Sequence, residues 1–422
     1  MNTYYRTYND VPKQLWKRHV RGSSLVLLEK LMDELTGAKR IFISFFLYNN
    51  PFLHKFLEDM SEQGCEIYIY SIPLDGYDAA VKQLYKRDYS EENSVNFSKF
   101  DYAQRTYNRI SNNNQNISLK IFPHTYIWYK VKFNRGKNLF SLHNKSIMAE
   151  FENSVKCISS SCNFAFGDPP HSDSFIVIEG KNTDAEKMFK KYFSILDKLS
   201  YSINEYIDFR KTYYDFDYIV NPVNLEDTYS LDYFTAPFIK YNGIGSNHYV
   251  QEQIIKFIKS AQNQIYICAQ HINDIESFDE NAASIVQCLI DMDKNVVIKV
   301  LKQTRPENQK QGDRTVSTEE ALKKCSNVSQ KYWTPTIHDK FIIVDDKKML
   351  FTTANFTPTA FAWEENHLMS YEVVRKDGRK ETVKRRNTFS EVNSFHFIED
   401  KNLVEKYIKH FENLWNKSAF IE

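Results

Sequence analysis

The sequence predicts an α/β protein made of two similar halves. Three observations lead to this prediction: helix-like and strand-like segments alternate along the chain, their order occurs twice, and each half carries the same polar motif after its first strands. The chain has 422 residues, which is enough for two or three domains. With 42% hydrophobic and 26% charged residues, its composition is ordinary for a globular protein.

The first half begins with a helix–strand pattern that then repeats. Apolar residues at helical spacing predict a helix over 25–35, and the apolar run that follows predicts a buried strand within 37–48. Residues 51–72 predict a second helix, ended by Gly64, and a second strand.

The second half shows the same order of elements. Residues 249–270 and 282–301 each predict a helix followed by a strand. Each half also ends on an amphipathic helix, at 185–199 in the first half and at 403–415 in the second.

A Tyr-rich and acidic segment separates the halves. Residues 201–241 contain seven Asp and Glu against three Lys and Arg, and we interpret this segment as a connector. The predicted domains are therefore 1–200 and 242–422.

A polar motif in the second half reads TPTIHDKFIIVDDKKMLFTTANF over 334–356. His338 and Lys340 share one face of the predicted strand, because side chains alternate along a strand. Asp345 follows five residues after the lysine, and Thr353 and Asn355 close the stretch. The pattern predicts a hairpin that gathers cationic groups, a carboxylate and an amide.

The first half contains a counterpart, SLHNKSIMAEFENSVKCISSSCNF over 141–164. His143 and Lys145 correspond to the histidine and lysine of the second copy, and Glu150 corresponds to its aspartate. Ser161 and Asn163 correspond to its hydroxyl and amide. One His-x-Lys carries little information, but two copies at the same place in a repeated frame indicate a functional site.

Two further carboxylates, Asp173 and Glu372, stand at the next predicted strand after each motif. They are candidates for fixing the tautomers of the motif histidines, and surface carboxylates at strand ends are the alternative. His171 and His367 also flank the motifs, and we interpret both as bystanders.

The two motifs resemble the signature of the phospholipase D superfamily, which is His-x-Lys, four residues, Asp, six residues and Gly-Ser-x-Asn. The resemblance extends from about residue 20 to the end of the sequence. It implies two phospholipase-D-like domains, each a mixed β-sheet flanked by helices, related by a pseudo-twofold axis. The sequence departs from the signature at Glu150, at Thr353, and at Ser160 and Thr352, where glycine is usual.

The resemblance also implies a metal-independent phosphodiesterase without a cofactor. One histidine attacks phosphorus and the other protonates the leaving group, and a second chain is not needed. A zinc or magnesium site is the alternative chemistry, which the lysines disfavour by charge repulsion. The implied catalytic residues are His143, Lys145, Asn163, His338, Lys340 and Asn355. The implied phosphate-binding or orienting residues are Ser161, Thr353, Asp173, Glu372, Glu150 and Asp345.

Two basic segments favour nucleic acid, with DNA as the expected partner. Residues 126–140 alternate aromatic and basic residues, and 375–386 contain seven Lys and Arg around an Asp-Gly turn. The candidate nucleic-acid-binding residues are Lys130, Lys132, Arg135, Lys137, Arg379, Lys380, Lys384 and Arg385. We therefore predict a nuclease. A soluble phospholipase D or phosphatidyl transferase, and a non-catalytic nucleic-acid-binding protein, are the alternatives.

Charge and hydropathy exclude some classes of protein. The net charge is only +1, which argues against a protein that is basic overall but permits a local basic cleft. No apolar run reaches the about 18 residues needed to span a bilayer, and no secretory signal is visible. Six cysteines without a CxxC pair indicate reduced thiols. We expect a cytoplasmic protein, with an accessory helicase or methyltransferase as a possible partner.

Overall fold

A computed structural model describes residues 1–6, 25–46, 48, 50–71, 116–122, 140–165, 171–202, 205, 222–226, 231–273, 284–303, 314–333, 337–361, 368–374, 380–386 and 390–420. These residues belong to two compact units, Met1–Ile219 and Val220–Glu422. Each unit contains a large mixed β-sheet with helices, which confirms the predicted α/β class. The boundary between the units lies inside the segment 201–241.

The first unit is built from three helices and nine strands among its described residues. The helices are α1 (Leu25–Leu35), α2 (Pro51–Glu62) and α3 (Asp184–Leu199). The strands are β1 (Asn2–Arg6), β2 (Arg40–Phe45), β3 (Glu66–Ser71), β4 (Ile117–Ile121), β5 (Phe140–Leu142), β6 (Lys145–Glu150), β7 (Val155–Ser160), β8 (Asp173–Glu179) and β9 (Tyr201–Ser202). The order in the sheet is β1-β8-β7-β6-β2-β3-β4-β9. Strands β2, β3 and β4 are parallel, and the other neighbours are antiparallel.

The second unit begins with strands that lie partly inside the predicted connector. These are β10 (Val223–Leu225), β11 (Asp232–Thr235), β12 (Ile239–Tyr241) and β13 (Ile244–Gly245). Its described helices are α4 (Ser246–Lys259), α5 (Ile285–Ile290), α6 (Arg314–Lys323), α7 (Pro358–Phe361) and α8 (Lys401–Asn416). The remaining strands are β14 (Gln264–Ala269), β15 (Val297–Gln303), β16 (Val328–Trp333), β17 (Lys340–Val344), β18 (Lys348–Thr352), β19 (Leu368–Val374), β20 (Lys380–Arg386), β21 (Ser390–Ile398) and β22 (Ala419–Phe420).

The internal repeat of the sequence corresponds to a repeated strand order in the two main sheets. The main sheet of the second unit has the order β11-β21-β18-β17-β14-β15-β16-β22, with β14, β15 and β16 parallel. Each strand corresponds in order and direction to one of the first unit, from β1 and β11 at one edge to β9 and β22 at the other. Strands β10, β12 and β13 form a small sheet of their own, and β19 pairs only with β20.

Apolar side chains on both faces of each main sheet explain why the strands form there. The central strands β6, β17 and β18 are almost entirely buried, as expected of strands that are covered on both faces. The last helix of each unit packs its apolar stripe on the sheet. Phe193 of α3 contacts Phe42, and Phe411 of α8 contacts Tyr266, with ring centroids 5.6 and 5.0 Å apart.

The cysteines of the chain are buried thiols. All six cysteines are buried and none forms a disulfide. No helix in the described part of the chain is long and apolar enough to cross a lipid bilayer.

The carboxylates that follow the two lysines, Glu150 and Asp345, are not where the sequence analysis expected them. Each lies five residues after its lysine along an extended strand, so the two groups are about 16 Å apart, at opposite ends of the strand. Glu150 forms ion pairs with Arg40 and Lys190, at 3.2 and 3.4 Å. Of the two roles that the resemblance implies for these carboxylates, phosphate binding and orienting, the contacts favour the orienting role, because they hold the far end of the sheet together.

Asp345 performs this structural role through backbone hydrogen bonds. Its carboxylate accepts the N–H groups of Gln262, Asn263 and Gln264 at 2.8–3.0 Å, where β14 begins. Burial acts to raise the pKa of Asp345, but these hydrogen bonds outweigh it and lower the pKa below its usual value. The ionised form is therefore the one that stabilises the fold.

We expect Asp345→Asn to lower the free energy of unfolding at neutral pH by about 1–2 kcal/mol, because an amide oxygen accepts these bonds more weakly than a carboxylate. Asparagine tolerates the left-handed backbone at this position, where φ is 52°. Because the folded-state pKa is depressed, the difference is complete above the unfolded pKa of about 3.9 and disappears as the pH falls through the lower folded value. Urea denaturation of both proteins between pH 3 and pH 7 measures this difference.

Asp346→Asn is the matched control, since Asp346 also has a left-handed φ of 54° and accepts only a side-chain amide, from Gln264 at 2.5 Å. The loss of stability in Asp346→Asn should be smaller than that in Asp345→Asn at pH 7. Equal losses in the two variants would contradict the role given to Asp345.

Candidate functional site

The two His-x-Lys motifs begin equivalent strands in the two units. Lys145 is the first residue of β6 and pairs with Phe45, the last residue of β2. Lys340 is the first residue of β17 and pairs with Ala269, the last residue of β14. Each lysine therefore lies at the carboxyl end of the parallel strands of its sheet, which is where ligands bind in open α/β sheets.

Both lysines are completely buried and are held by the same contact. The Nζ of Lys145 donates to the carbonyl oxygen of His143 at 2.5 Å, and the Nζ of Lys340 donates to the carbonyl oxygen of His338 at 2.6 Å. Both ammonium groups are 0% exposed, whereas His143 is partly exposed and His338 is 5% exposed. Each unit thus keeps a cation beside the backbone of its motif histidine.

The motif hydroxyls, those of Ser161 and Thr353, form hydrogen bonds within the protein. Ser161 Oγ donates to Asp173 Oδ1 at 3.0 Å and accepts the N–H of Ser174, also at 3.0 Å. Thr353 Oγ1 donates to Asn393 Oδ1 at 3.1 Å and accepts the N–H of Ser394 at 2.9 Å. Both residues lie at 0% exposure, and these contacts orient the motif loop, which is one of the two roles that the resemblance implies for them.

Ser160 and Thr352, which stand where the superfamily has glycine, also have equivalent roles. Ser160 Oγ accepts the N–H of Cys162, and Thr352 Oγ1 accepts the N–H of Ala354, both at 2.9 Å. Each hydroxyl also donates to a carbonyl oxygen of the neighbouring strand, at 3.2 and 2.7 Å. These hydroxyls fix the turn by hydrogen bonds, so the turn does not need glycine there.

The asparagines of the motifs are the polar groups in these loops that remain open to a ligand. The Oδ1 atoms of Asn163 and Asn355 are buried and have no hydrogen-bond partner among the described residues. A buried amide without a partner is costly, so a ligand that bonds to it gains affinity. Each half-site therefore offers an imidazole, an ammonium group and an amide, which together suit an oxyanion and a nearby electrophile.

The strand register corrects the assignment of Glu372. This residue lies on β19, opposite Thr382 of β20, in a two-stranded sheet apart from the main sheet. The strand that follows the second motif in the main sheet is β21, where Asn393 makes the contact that Asp173 makes in the first unit. Asn393, rather than Glu372, is thus the counterpart of Asp173.

The same register identifies a carboxylate that the sequence analysis missed. Glu391 lies two residues before Asn393, as His171 lies two residues before Asp173. Glu391 is buried and accepts the side-chain amide of Asn393 at 3.3 Å, while His171 Nδ1 lies 3.7 Å from Asp173 Oδ2. The shared tetrapeptide pattern, SDSF at 172–175 and VNSF at 392–395, is the signal that identifies both positions.

Most of the predicted nucleic-acid-binding residues lie outside the described residues. These are Lys130, Lys132, Arg135, Lys137 and Arg379. Lys380, Lys384 and Arg385 lie on β20. The register puts Lys380 and Lys384 on one face of the hairpin, together with Arg386, and puts Arg385 on the other face, opposite Met369.

Comparison with known proteins agrees with this geometry. Residues 254–379 match the family model described as cardiolipin synthase, PLD-like domain. The structure of phosphatidylserine synthase from Haemophilus influenzae Rd KW20 is 11% identical, covers 94% of this chain and 85% of its own, and has a TM-score of 0.50. A search among curated proteins finds no match to this sequence.

Two smaller proteins are also similar to part of the chain. Nuc from Salmonella typhimurium, a phospholipase D family member, is 18% identical over 40% of this chain and 90% of its own, with a TM-score of 0.27. NucT from Helicobacter pylori is 12% identical over 45% of this chain and 98% of its own, with a TM-score of 0.30. The family model thus shows a PLD-like domain within residues 254–379, and the fold of the chain is similar to that of the phosphatidylserine synthase.

Proposed function

We propose that this protein is a metal-independent phosphodiesterase that cleaves nucleic-acid phosphodiester bonds through a phosphohistidine intermediate. The observation that carries the proposal is the duplicated half-site. In each copy a buried lysine donates a hydrogen bond to the backbone carbonyl oxygen of the motif histidine, at 2.5 Å in the first unit and 2.6 Å in the second. A phosphodiester carries negative charge that repels a nucleophile, and the two ammonium groups and two amides supply the positive charge and the donors that offset it.

The proposed reaction divides the work between the two imidazoles. Neutral His143 attacks phosphorus and forms a P–N bond, while the bond from phosphorus to the leaving oxygen breaks and His338 donates its proton to that oxygen. His338 then accepts a proton from water, whose oxygen attacks phosphorus as the P–N bond breaks. The proposal requires both half-sites to act on one phosphate, and Lys145 and Lys340 then stabilise the charge of the pentacovalent transition state.

The basic strand β20 supports nucleic acid as the substrate. Lys380, Lys384 and Arg386 lie on one face of the β19–β20 hairpin, opposite Val374, Ser370 and Leu368. Their spacing of two or four residues along a strand puts their Cα atoms about 7–13 Å apart, comparable with the spacing of phosphates along a strand of nucleic acid. We propose that this face contacts the phosphate backbone while the half-sites bind the scissile phosphate.

A phosphatidyl transferase is the second candidate. The matched family model is named for cardiolipin synthase, and the structural neighbour with a TM-score of 0.50 is a phosphatidylserine synthase. Both names concern lipid phosphodiesters, whose cleavage needs the same imidazoles and cations. Vesicles of phosphatidylglycerol and phosphatidylcholine, incubated with the protein in EDTA, distinguish the candidates: release of head group without cleavage of an oligonucleotide favours the lipid enzyme.

We expect His143→Ala and His338→Ala each to lower kcat on a single-stranded oligonucleotide in EDTA by about 10³-fold or more, because each variant lacks a group that the other residues cannot replace. A gel assay of cleavage, with bis(p-nitrophenyl) phosphate as a second substrate, measures this loss. His248→Ala, which changes a partly exposed histidine on α4, is the control and should keep the activity of the natural protein. Activity within tenfold of the natural protein in either motif variant would refute the two-histidine reaction.

We expect Lys384→Ala to weaken binding of DNA and to reduce the slope of log K against log salt concentration by about 1, because one phosphate contact is lost. Arg385→Ala is the matched control: it removes the same charge one residue further along β20, on the opposite face, and should leave the slope unchanged. Fluorescence anisotropy at several salt concentrations measures both slopes. Equal slopes for Lys384→Ala and the natural protein would contradict the assigned face.

A further inference from the structure

The two half-sites differ at the residue between the histidine and the lysine. This residue is Asn144 in the first unit and Asp339 in the second. Because side chains alternate along a strand, each residue lies on the face of the sheet opposite its lysine, toward the last helix of its unit. Both residues are 0% exposed, so each must find a partner within the protein.

In the second unit the partner comes from the last helix, at a position that has an equivalent in the first unit. Phe193 of α3 and Phe411 of α8 pack on equivalent positions of β2 and β14, so the residues before them, Tyr192 and His410, are equivalent. His410 Nε2 lies 2.9 Å from Asp339 Oδ2, and neither side chain is exposed to solvent. In the first unit the equivalent residues are uncharged: Asn144 Oδ1 accepts the N–H of Lys145 and the hydroxyl of Ser146, both at 2.9 Å, and Tyr192 Oη lies 2.9 Å from Ser44 Oγ.

The Asp339–His410 pair is placed where it can control the geometry of the second half-site. Asp339 is bonded through the backbone to both His338 and Lys340, and the Nζ of Lys340 returns to the carbonyl oxygen of His338 at 2.6 Å. The imidazole of His410 is enclosed by Phe341 and Tyr407, with ring centroids 6.3 and 6.4 Å away. His410 of α8 therefore holds the backbone segment that carries both His338 and Lys340.

We propose that Asp339 and His410 are positioning residues, which hold His338 and Lys340 of the second half-site in their reactive arrangement. The contact runs through Nε2 of His410, and it fixes the first residues of β17 against α8. The inference rests on the proposed phosphodiesterase activity for its catalytic consequence. The equivalent residues of the first unit, Asn144 and Tyr192, carry no charge, whereas the second half-site has a buried hydrogen bond between two ionisable groups at this place.

The substitutions at His410 separate this hydrogen bond from packing. The side-chain nitrogen of glutamine reaches about as far as Nε2 of histidine, whereas that of asparagine reaches only as far as Nδ1. His410→Gln should therefore keep kcat for bis(p-nitrophenyl) phosphate within about threefold. His410→Asn and His410→Ala should lower kcat by about 10- to 100-fold with KM changed less than about threefold, because the half-site groups remain present but are poorly aligned.

The second unit also provides a matched control. His396 Nδ1 lies 2.6 Å from Asp232 Oδ1 between β11 and β21, where His396 lies opposite Phe351 of β18 rather than beside the first residues of β17. His396→Ala removes another His–Asp contact, with a fully buried histidine, from the same unit. It should lower the melting temperature but leave kcat per folded molecule unchanged.

Hydrogen exchange provides a readout that does not require turnover. Backbone amides of 338–344 should exchange faster in His410→Asn than in His410→Gln, and should be unaffected in His396→Ala. If the natural protein turns over no phosphodiester but the exchange follows this order, the proposed function fails and the positioning role stands. If the natural protein is active and His410→Asn keeps its kcat within threefold, or His410→Gln loses as much as His410→Asn, the positioning role is overturned.

Discussion

The burial of one ammonium group in each unit is the constraint on which the rest of the site depends. A lysine at 0% exposure is costly unless its charge is hydrogen-bonded, and in both units the acceptor is the carbonyl oxygen two residues earlier. This contact joins the cation to the backbone of the motif histidine at the carboxyl end of the parallel strands.

Around this contact, the polar residues divide into those that build the loop and those that face a ligand. Ser161 and Thr353 connect the motif loop to the neighbouring strand through one donated and one accepted hydrogen bond each. Asp345 connects the other end of its strand to the start of β14. The proposed chemistry rests instead on the imidazoles, the ammonium groups and the amides of Asn163 and Asn355.

The two units share topology and motif but differ in electrostatics. The residues at the two equivalent positions are Asn144 and Tyr192 in the first unit, whereas they are the hydrogen-bonded Asp339 and His410 in the second. A reaction with one nucleophile and one acid needs two imidazoles in opposite protonation states, and identical half-sites would not distinguish them. The duplicated fold thus supplies two copies of the histidine, lysine and asparagine. The residues behind the two motifs differ, and this difference makes the two half-sites unequal.

The sequence by itself determined the α/β class, the duplicated helix–strand order and the two sets of histidine, lysine and asparagine, because these depend on local periodicity and on spacing along one strand and one turn. Only the tertiary structure decided which carboxylates belong to the site. Asp345 lies five residues from Lys340, and five residues of extended chain separate the two groups rather than joining them. Asn393 replaces Glu372 as the counterpart of Asp173, because the hairpin of β19 and β20 lies between the motif and the strand that pairs with it. Likewise, the contact between Asp339 and His410 joins residues that are 71 positions apart, and no local pattern encodes it.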